Sequence, residues 1–292
     1  MEAKEGNQES FHAHVQRLVA EGKLSAEDAA ELLGAGTEPQ TTLVGPSLVK
    51  QEALHDTPPD LTLKVEAYAL TVVYEPGLTM PQLSATRDGE LQLSQDQHGW
   101  RLERARHPEG IRFSSGLRAV LSLPFEPRHV RAEVSGGSLS LSDVQGEALM
   151  HINGGSLRMA DAGSLQAEVN GGSLRAGQIT GAAMLNVNGG SLTLGRSTAL
   201  RASVNGGSLQ WSGRLDEGEH RLEINAGSAT LHPDPDSSLR LDVATTLGSV
   251  KSDLPLTRTG GTMSARYSGM VGQGAARLSA QVTAGSLKVV GA

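Results

Sequence analysis

The sequence predicts a mainly β chain: a parallel β-solenoid of about 17–18 residues per rung, with an irregular β cap and a small N-terminal α-hairpin. Three observations predict it. Val134-Ser-Gly-Gly-Ser-Leu139 returns as Ile152-Asn-Gly-Gly-Ser-Leu157, Val169-Asn-Gly-Gly-Ser-Leu174, Val187-Asn-Gly-Gly-Ser-Leu192 and Val204-Asn-Gly-Gly-Ser-Leu209. It then decays to Ile224-Asn-Ala-Gly-Ser-Ala229, Leu247-Gly-Ser-Val250 and Val282-Thr-Ala-Gly-Ser-Leu287. The glycine of each Gly-Ser pair stands at 137, 155, 172, 190, 207, 227, 248 and 285, so the steps are 18, 17, 18, 17, 20, 21 and 37 residues. On both sides of the motif apolar and polar residues alternate, the period of a strand. Aromatic residues make up only 3% of the chain, which suits a narrow coil interior filled by Leu, Val, Ala and Ile.

In chain order, residues 1–36 read as a helical hairpin. Phe11, Val15, Leu18 and Val19 share one helical face, and Gly22 ends that helix. Ser25 starts a second helix with Asp28 as its capping-box acid. Leu24, Leu32 and Leu33 complete an apolar interaction face. About 25 helical residues hold no core alone, so the hairpin must dock on the β part, pair with a copy of itself or bind a protein partner. Residues 37–60, with Pro39, Pro46, Pro58 and Pro59, read as a linker. Residues 61–292 form the β domain. Within it, 61–132 alternate without a visible period and read as the β cap, punctuated by Gly77, Asp88-Gly89 and His98-Gly99.

Residues 133–292 form the repeat. Ala132/Val134, Met150/Ile152 and their equivalents point inward before each turn; Leu139/Leu141, Leu157/Met159 and theirs do so after it. Asn-Gly is also a hairpin signal, so an antiparallel meander competes with the solenoid. A parallel stack explains why the same residue returns at the same place. The stack then forms columns: Asn153, Asn170, Asn188, Asn205 and Asn225, and beside them Ser138, Ser156, Ser173, Ser191, Ser208 and Ser228. Stacked amides bond along the axis as ladders; the alternative is a strip that binds a glycan. The step of 37 has room for two rungs, one degenerate. Residues 260–290 are expected to close the far end, with a loop from Gly269 to Ala275.

Composition excludes several functions. The absence of cysteine removes disulfides and thiolate metal sites. A net charge of −7 argues against nucleic acid. The excess lies in residues 1–40, with 3 Lys/Arg against 8 Asp/Glu. No apolar stretch approaches the ~18 residues of a membrane helix, and the acidic N-terminus lacks the pattern of a Sec-type signal. The expected location is cytoplasmic or peripheral to the envelope.

Catalytic patterns are missing too. The repeats lack the calcium-roll Gly-x-Asp. His12 and His14 fall on different sides of a helix, and the remaining histidines are scattered, so no metal or other cofactor is expected. Glu133, Glu168 and Glu223 share a column interrupted by His151, Asn186 and Ser203, and Arg131, Arg201, Arg221 and Arg240 are expected to pair with it. This makes a carbohydrate-active enzyme the weakest reading.

Glu21-Gly22-Lys23-Leu24-Ser25 followed by Glu27-Asp28-Ala29 resembles the SHOCT-like helical domain of LiaX/YvlB-type proteins, and the Val-Asn-Gly-Gly-Ser-Leu repeat resembles their adhesin-like β-solenoid domain of unknown function. The resemblance implies a bacterial protein linked to cell-envelope stress, with an envelope component or a cationic peptide as partner. It supplies no catalytic residue. The expectation is a non-enzymatic scaffold, with polymer binding along the solenoid as the alternative.

Overall fold

The computed structural model describes residues 11–33, 60–105, 116–215, 217–261 and 263–291. The expected linker, apart from Asp60, lies outside the described residues. Two helices, α1 (Phe11–Ala20) and α2 (Ala26–Leu33), come first. The strands are β1 (Asp60–Tyr74), β2 (Gln82–Ala85), β3 (Leu91–Asp96), β4 (Gly99–Arg104), β5 (Arg118–Leu123), β6 (His129–Leu141), β7 (Val144–Met159), β8 (Ala162–Ala176), β9 (Ile179–Val187) and β10 (Ser191–Leu194). They continue as β11 (Ser197–Val204), β12 (Ser208–Gly213), β13 (Glu219–Ile224), β14 (Ser228–Pro233), β15 (Leu239–Thr246), β16 (Ser249–Ser252), β17 (Thr257–Gly260), β18 (Ser264–Val271), β19 (Ala276–Thr283) and β20 (Ser286–Val289). The chain is mainly β, and most of its strands pair in parallel.

Each repeat motif is a corner between two half-strands. The halves before the corner stack in the order β3–β4–β1–β6–β7–β8–β9–β11–β13–β19–β15–β18–β17. Those after it stack in the order β2–β5–β1–β6–β7–β8–β10–β12–β14–β20–β16. Only β3/β4, β2/β5, β15/β18 and β17/β18 are antiparallel, all at the ends of the stack. The meander is therefore excluded for the repeat. Inward residues from both halves, such as Val169 and Leu174, share one core. Trp211 lies fully inside it, its indole N–H donating to Ser197 Oγ at 2.9 Å.

The corner chemistry explains the motif. A Cβ on the second glycine would collide with the rung below; at Gly207 it would stand 2.6 Å from the carbonyl oxygen of Gly190. The first glycine has more room: at Gly171 an added Cβ meets nothing within 4 Å, and at Gly206 its nearest neighbour is 3.3 Å away. That asymmetry is why the second glycine persists through 227, 248 and 285 while the first gives way to Ala226, Leu247 and Ala284. Leu247 and Ala284 take the left-handed conformation, at φ 57° and 54°.

Two expectations are corrected. Part of the cap is a full rung: β1 runs in register with β6 across the corner, from Leu61 opposite Val130 to Val72 opposite Leu141. Its period is hidden because Ala67 (φ 55°) and Tyr68 replace the glycine pair. Tyr68 fits because no other corner stacks on its free side; the Arg104 guanidinium lies 5.5 Å from its ring, and its hydroxyl donates to the Lys64 carbonyl at 2.7 Å. Arg104 also bonds the Glu66 carbonyl and pairs with Glu90.

The C-terminal segment does not simply close the end. β19 and β20 insert between the β13/β14 coil and the β15/β16 coil. Gly269–Val271 belong to β18 rather than to a loop, and the turn spans only 272–275. The long step of 37 residues holds the antiparallel β17/β18 pair, not two further parallel rungs.

Candidate functional site

After every corner the serine points outward and the following residue inward, because the strand period is two. Register then builds a column: Ser138, Ser156, Ser173, Ser191, Ser208, Ser228, Ser286 and Ser249, each directly opposite the next. At ~4.8 Å per rung the column runs ~34 Å. Ser286 and Ser249 escaped the sequence reading because stack order departs from chain order there. A second outward column runs alongside: Ser140, Arg158, Arg175, Thr193, Gln210, Thr230, Lys288 and Lys251.

The asparagines sit at the corner beside the serines and bond to one another. Asn170 Nδ2 donates to Asn153 Oδ1 at 3.0 Å, Asn188 to Asn170 at 2.7 Å, Asn205 to Asn188 at 2.9 Å and Asn225 to Asn205 at 2.5 Å. Their amides are thereby engaged along the axis. The serine hydroxyls differ: from Ser156 to Ser249 none makes a side-chain hydrogen bond to a described residue, while Ser138 Oγ donates to Glu31 Oε1.

The helical hairpin lies over the N-terminal end of this face. Gly22 (φ 70°) ends α1, with its N–H bonded to the Val19 carbonyl and the Lys23 N–H to that of Leu18. Ser25 Oγ accepts the Asp28 N–H at 3.0 Å and caps α2. Phe11, Val15, Leu18, Leu24 and Leu32 are buried with Val73 of β1 and Val120 of β5, and Val19 and Leu33 pack at the margin. The face that sequence reading offered to a partner is thus covered by the chain's own sheet.

Polar contacts frame the hairpin's seat. Arg17 pairs with Glu75 at 2.8 Å, His14 Nε2 lies 3.5 Å from Ser122 Oγ, and Glu27 pairs with Arg158 at 2.8 Å. The hydrogen bond that Arg158 donates to Glu27 raises the Arg158 pKa above its usual value. A cleft between α2 and the sheet is bordered by Asp28, Glu31, Ser156, Ser173 and Arg175.

The other half of the coil carries the acidic column that sequence reading described. Glu133, His151, Glu168 and Asn186 stand opposite one another in turn, followed by Ser203 and Glu223. His151 Nδ1 lies 3.3 Å from Glu168 Oε2. The expected arginine pairing is corrected: of the four arginines only Arg221 meets this column, through Glu223 on its own strand at 2.7 Å. Arg131, Arg201 and Arg240 stand in neighbouring outward columns and make no hydrogen bond or ion pair to a described residue. Among the described residues no cluster of three or more His, Asp or Glu could hold a metal, and no helix is long and apolar enough to cross a membrane.

No family model and no curated protein matches the chain. Solved structures that resemble it include a candidate cell adhesion protein from Clostridium sporogenes ATCC 15579, at 12% identity and TM-score 0.22, covering 87% of this chain and 98% of that one. A candidate lipid-binding protein from Parabacteroides distasonis ATCC 8503 matches at 11% identity and TM-score 0.40, covering 86% and 96%. A candidate adhesin from Bacteroides fragilis NCTC 9343 matches at 8% identity and TM-score 0.34, covering 86% and 96%.

Proposed function

We propose that the chain is a non-enzymatic interaction scaffold, a parallel β-solenoid that binds a repeating glycan or cell-wall polymer along its serine face. The observation that carries the reading is the column of eight in-register serines. From Ser156 onward their hydroxyls are unspent on side-chain bonds, beside asparagines whose amides are engaged. A rigid row of equivalent donors matches a ligand whose own groups repeat, and the sheet orders that row before binding, which lowers the entropic cost of association. The resemblance to LiaX/YvlB-type proteins supports placing this role in the response to envelope stress.

A second reading concerns the hairpin. Among the described residues only two from the sheet, Val73 and Val120, enter its apolar cluster, and the other fastenings described are polar. So small a seat suits a module that leaves the sheet to take a protein partner or a second copy, exposing the first serines as it goes.

Retention of the full chain on a polysaccharide array tests the first reading. Ser191→Gln with Ser208→Gln should abolish retention without moving Tm. Equal retention by this variant, or no retention of the parent, would contradict serine-face binding. Light scattering of the full chain and of a truncation starting at Asp60 tests the second, which predicts a partner-dependent or concentration-dependent assembly in the full chain only.

A further inference from the structure

We infer that the outward face of β11, β13, β19, β15 and β18 is a second binding surface, one that takes a linear, phosphate-bearing, non-nucleic polymer. The inference goes beyond the serine face, lies on the other half of the coil and stands or falls independently of it.

Register places Arg201 directly opposite Arg221, and Arg277 directly opposite Arg240. Arg266 projects from the same face one strand further on, opposite Ala244. All five arginines are exposed. Like charges directly opposite one another destabilise a sheet, so two such pairs need a compensating anion. The chain supplies it for one member of each pair: Glu223 bonds Arg221 at 2.7 Å and Asp242 bonds Arg277 at 3.1 Å. The guanidinium groups of Arg201, Arg240 and Arg266 make no hydrogen bond or ion pair to any described residue. A shallow depression lined by Arg201, Arg221, Arg266 and Arg277, with the carboxylates Glu219, Glu223 and Asp242 among them, runs across the face.

Geometry selects the ligand. Five strands span four steps, ~19 Å, which a linear chain can follow. A planar carboxylate is matched in shape by one bidentate guanidinium fork. Two guanidinium groups on adjacent strands converge best on a tetrahedral phosphoryl group, whose non-bridging oxygens point in different directions. Among the described residues no Phe, Tyr or Trp lines the depression for a base to stack on, which disfavours a single-stranded nucleic acid.

The test is fluorescence anisotropy of labelled inorganic polyphosphate titrated with the full chain at low and at physiological salt. The parent should bind, more weakly as salt rises. Arg201→Ser with Arg240→Ser should weaken binding about tenfold or more, whereas Arg131→Ser, outside the patch, should not. Without ligand, the double variant should unfold at the same urea concentration as the parent or a higher one, because like-charge repulsion is removed. No binding by the parent, equal loss in Arg131→Ser, or undiminished binding by the double variant would overturn the inference. So would single-stranded DNA outcompeting polyphosphate, which would make the face a nucleic-acid surface.

Discussion

Ser228 stands in register with Ser286, not with Ser249, the next corner serine along the chain. β19 and β20, the last strands of the sequence, lie between β13/β14 and β15/β16, and the serine column continues through them. Chain order therefore does not fix a strand's place in the stack.

The two glycines of a corner should respond differently to mutation. At Gly172 (φ 78°) an added Cβ would strike the Gly155 backbone, whereas at Gly171 it meets nothing within 4 Å. Gly172→Ala is expected to cost about 2 kcal/mol or more, and Gly171→Ala about 0.5 kcal/mol or less. Urea unfolding of both variants checks the difference; equal costs would mean that the rungs do not stack corner on corner.

The asparagine ladder should contribute measurably to stability although it is exposed. Asn188 gives one amide bond to Asn170 and receives one from Asn205. Asn188→Ala removes both, for an expected loss of about 1 kcal/mol. Asn225→Ala, at the ladder's end, removes the Asn205 bond alone and should cost less.

His220 should make stability fall with acid. It is buried; its Nδ1 accepts the Leu200 N–H at 3.2 Å and its Nε2 lies 3.0 Å from the Glu217 carbonyl oxygen. Desolvation, only partly offset by the Glu217 bond, holds its pKa below the usual 6.5. Below that value the unfolded chain binds a proton that the folded chain refuses, so the contribution is fully present above pH 6.5 and is lost as pH falls through the folded pKa. Urea midpoints from pH 7.5 down to 5.5 should decline more steeply for the parent than for His220→Gln. Parallel profiles would contradict the assignment.

The hairpin's seat can be tested at its centre. Leu18 is fully buried against the sheet cluster. Leu18→Asp should abolish hydrogen-exchange protection in residues 11–33 while leaving protection in β6 to β8 unchanged. Loss of protection in both would show that the hairpin is an integral part of the core.

Much of this was legible in advance, for definite reasons. The inward alternation around Val169 and Leu174 and the capped turn of Gly22 and Ser25 are local, and local rules reach them. The β1 rung was hidden because Tyr68 replaces a glycine that only a stacked corner requires. The inserted coil was hidden because Ser286 and Ser249 carry equivalent corners, and nothing local ranks one above the other. The arginine columns failed for a related reason: alternation assigns Arg201 to the outer face but does not say that its cross-strand neighbour is another arginine.

The most direct measurement is pulsed dipolar spectroscopy on cysteine-linked spin labels, which the cysteine-free chain permits without background. Labels at positions 173 and 286 should lie four rungs apart, ~19 Å between backbones, and labels at 173 and 249 five rungs, ~24 Å. A shorter 173–286 distance is the predicted result. A shorter 173–249 distance would restore chain order, and distances bearing no relation to rung number would contradict the in-register column itself.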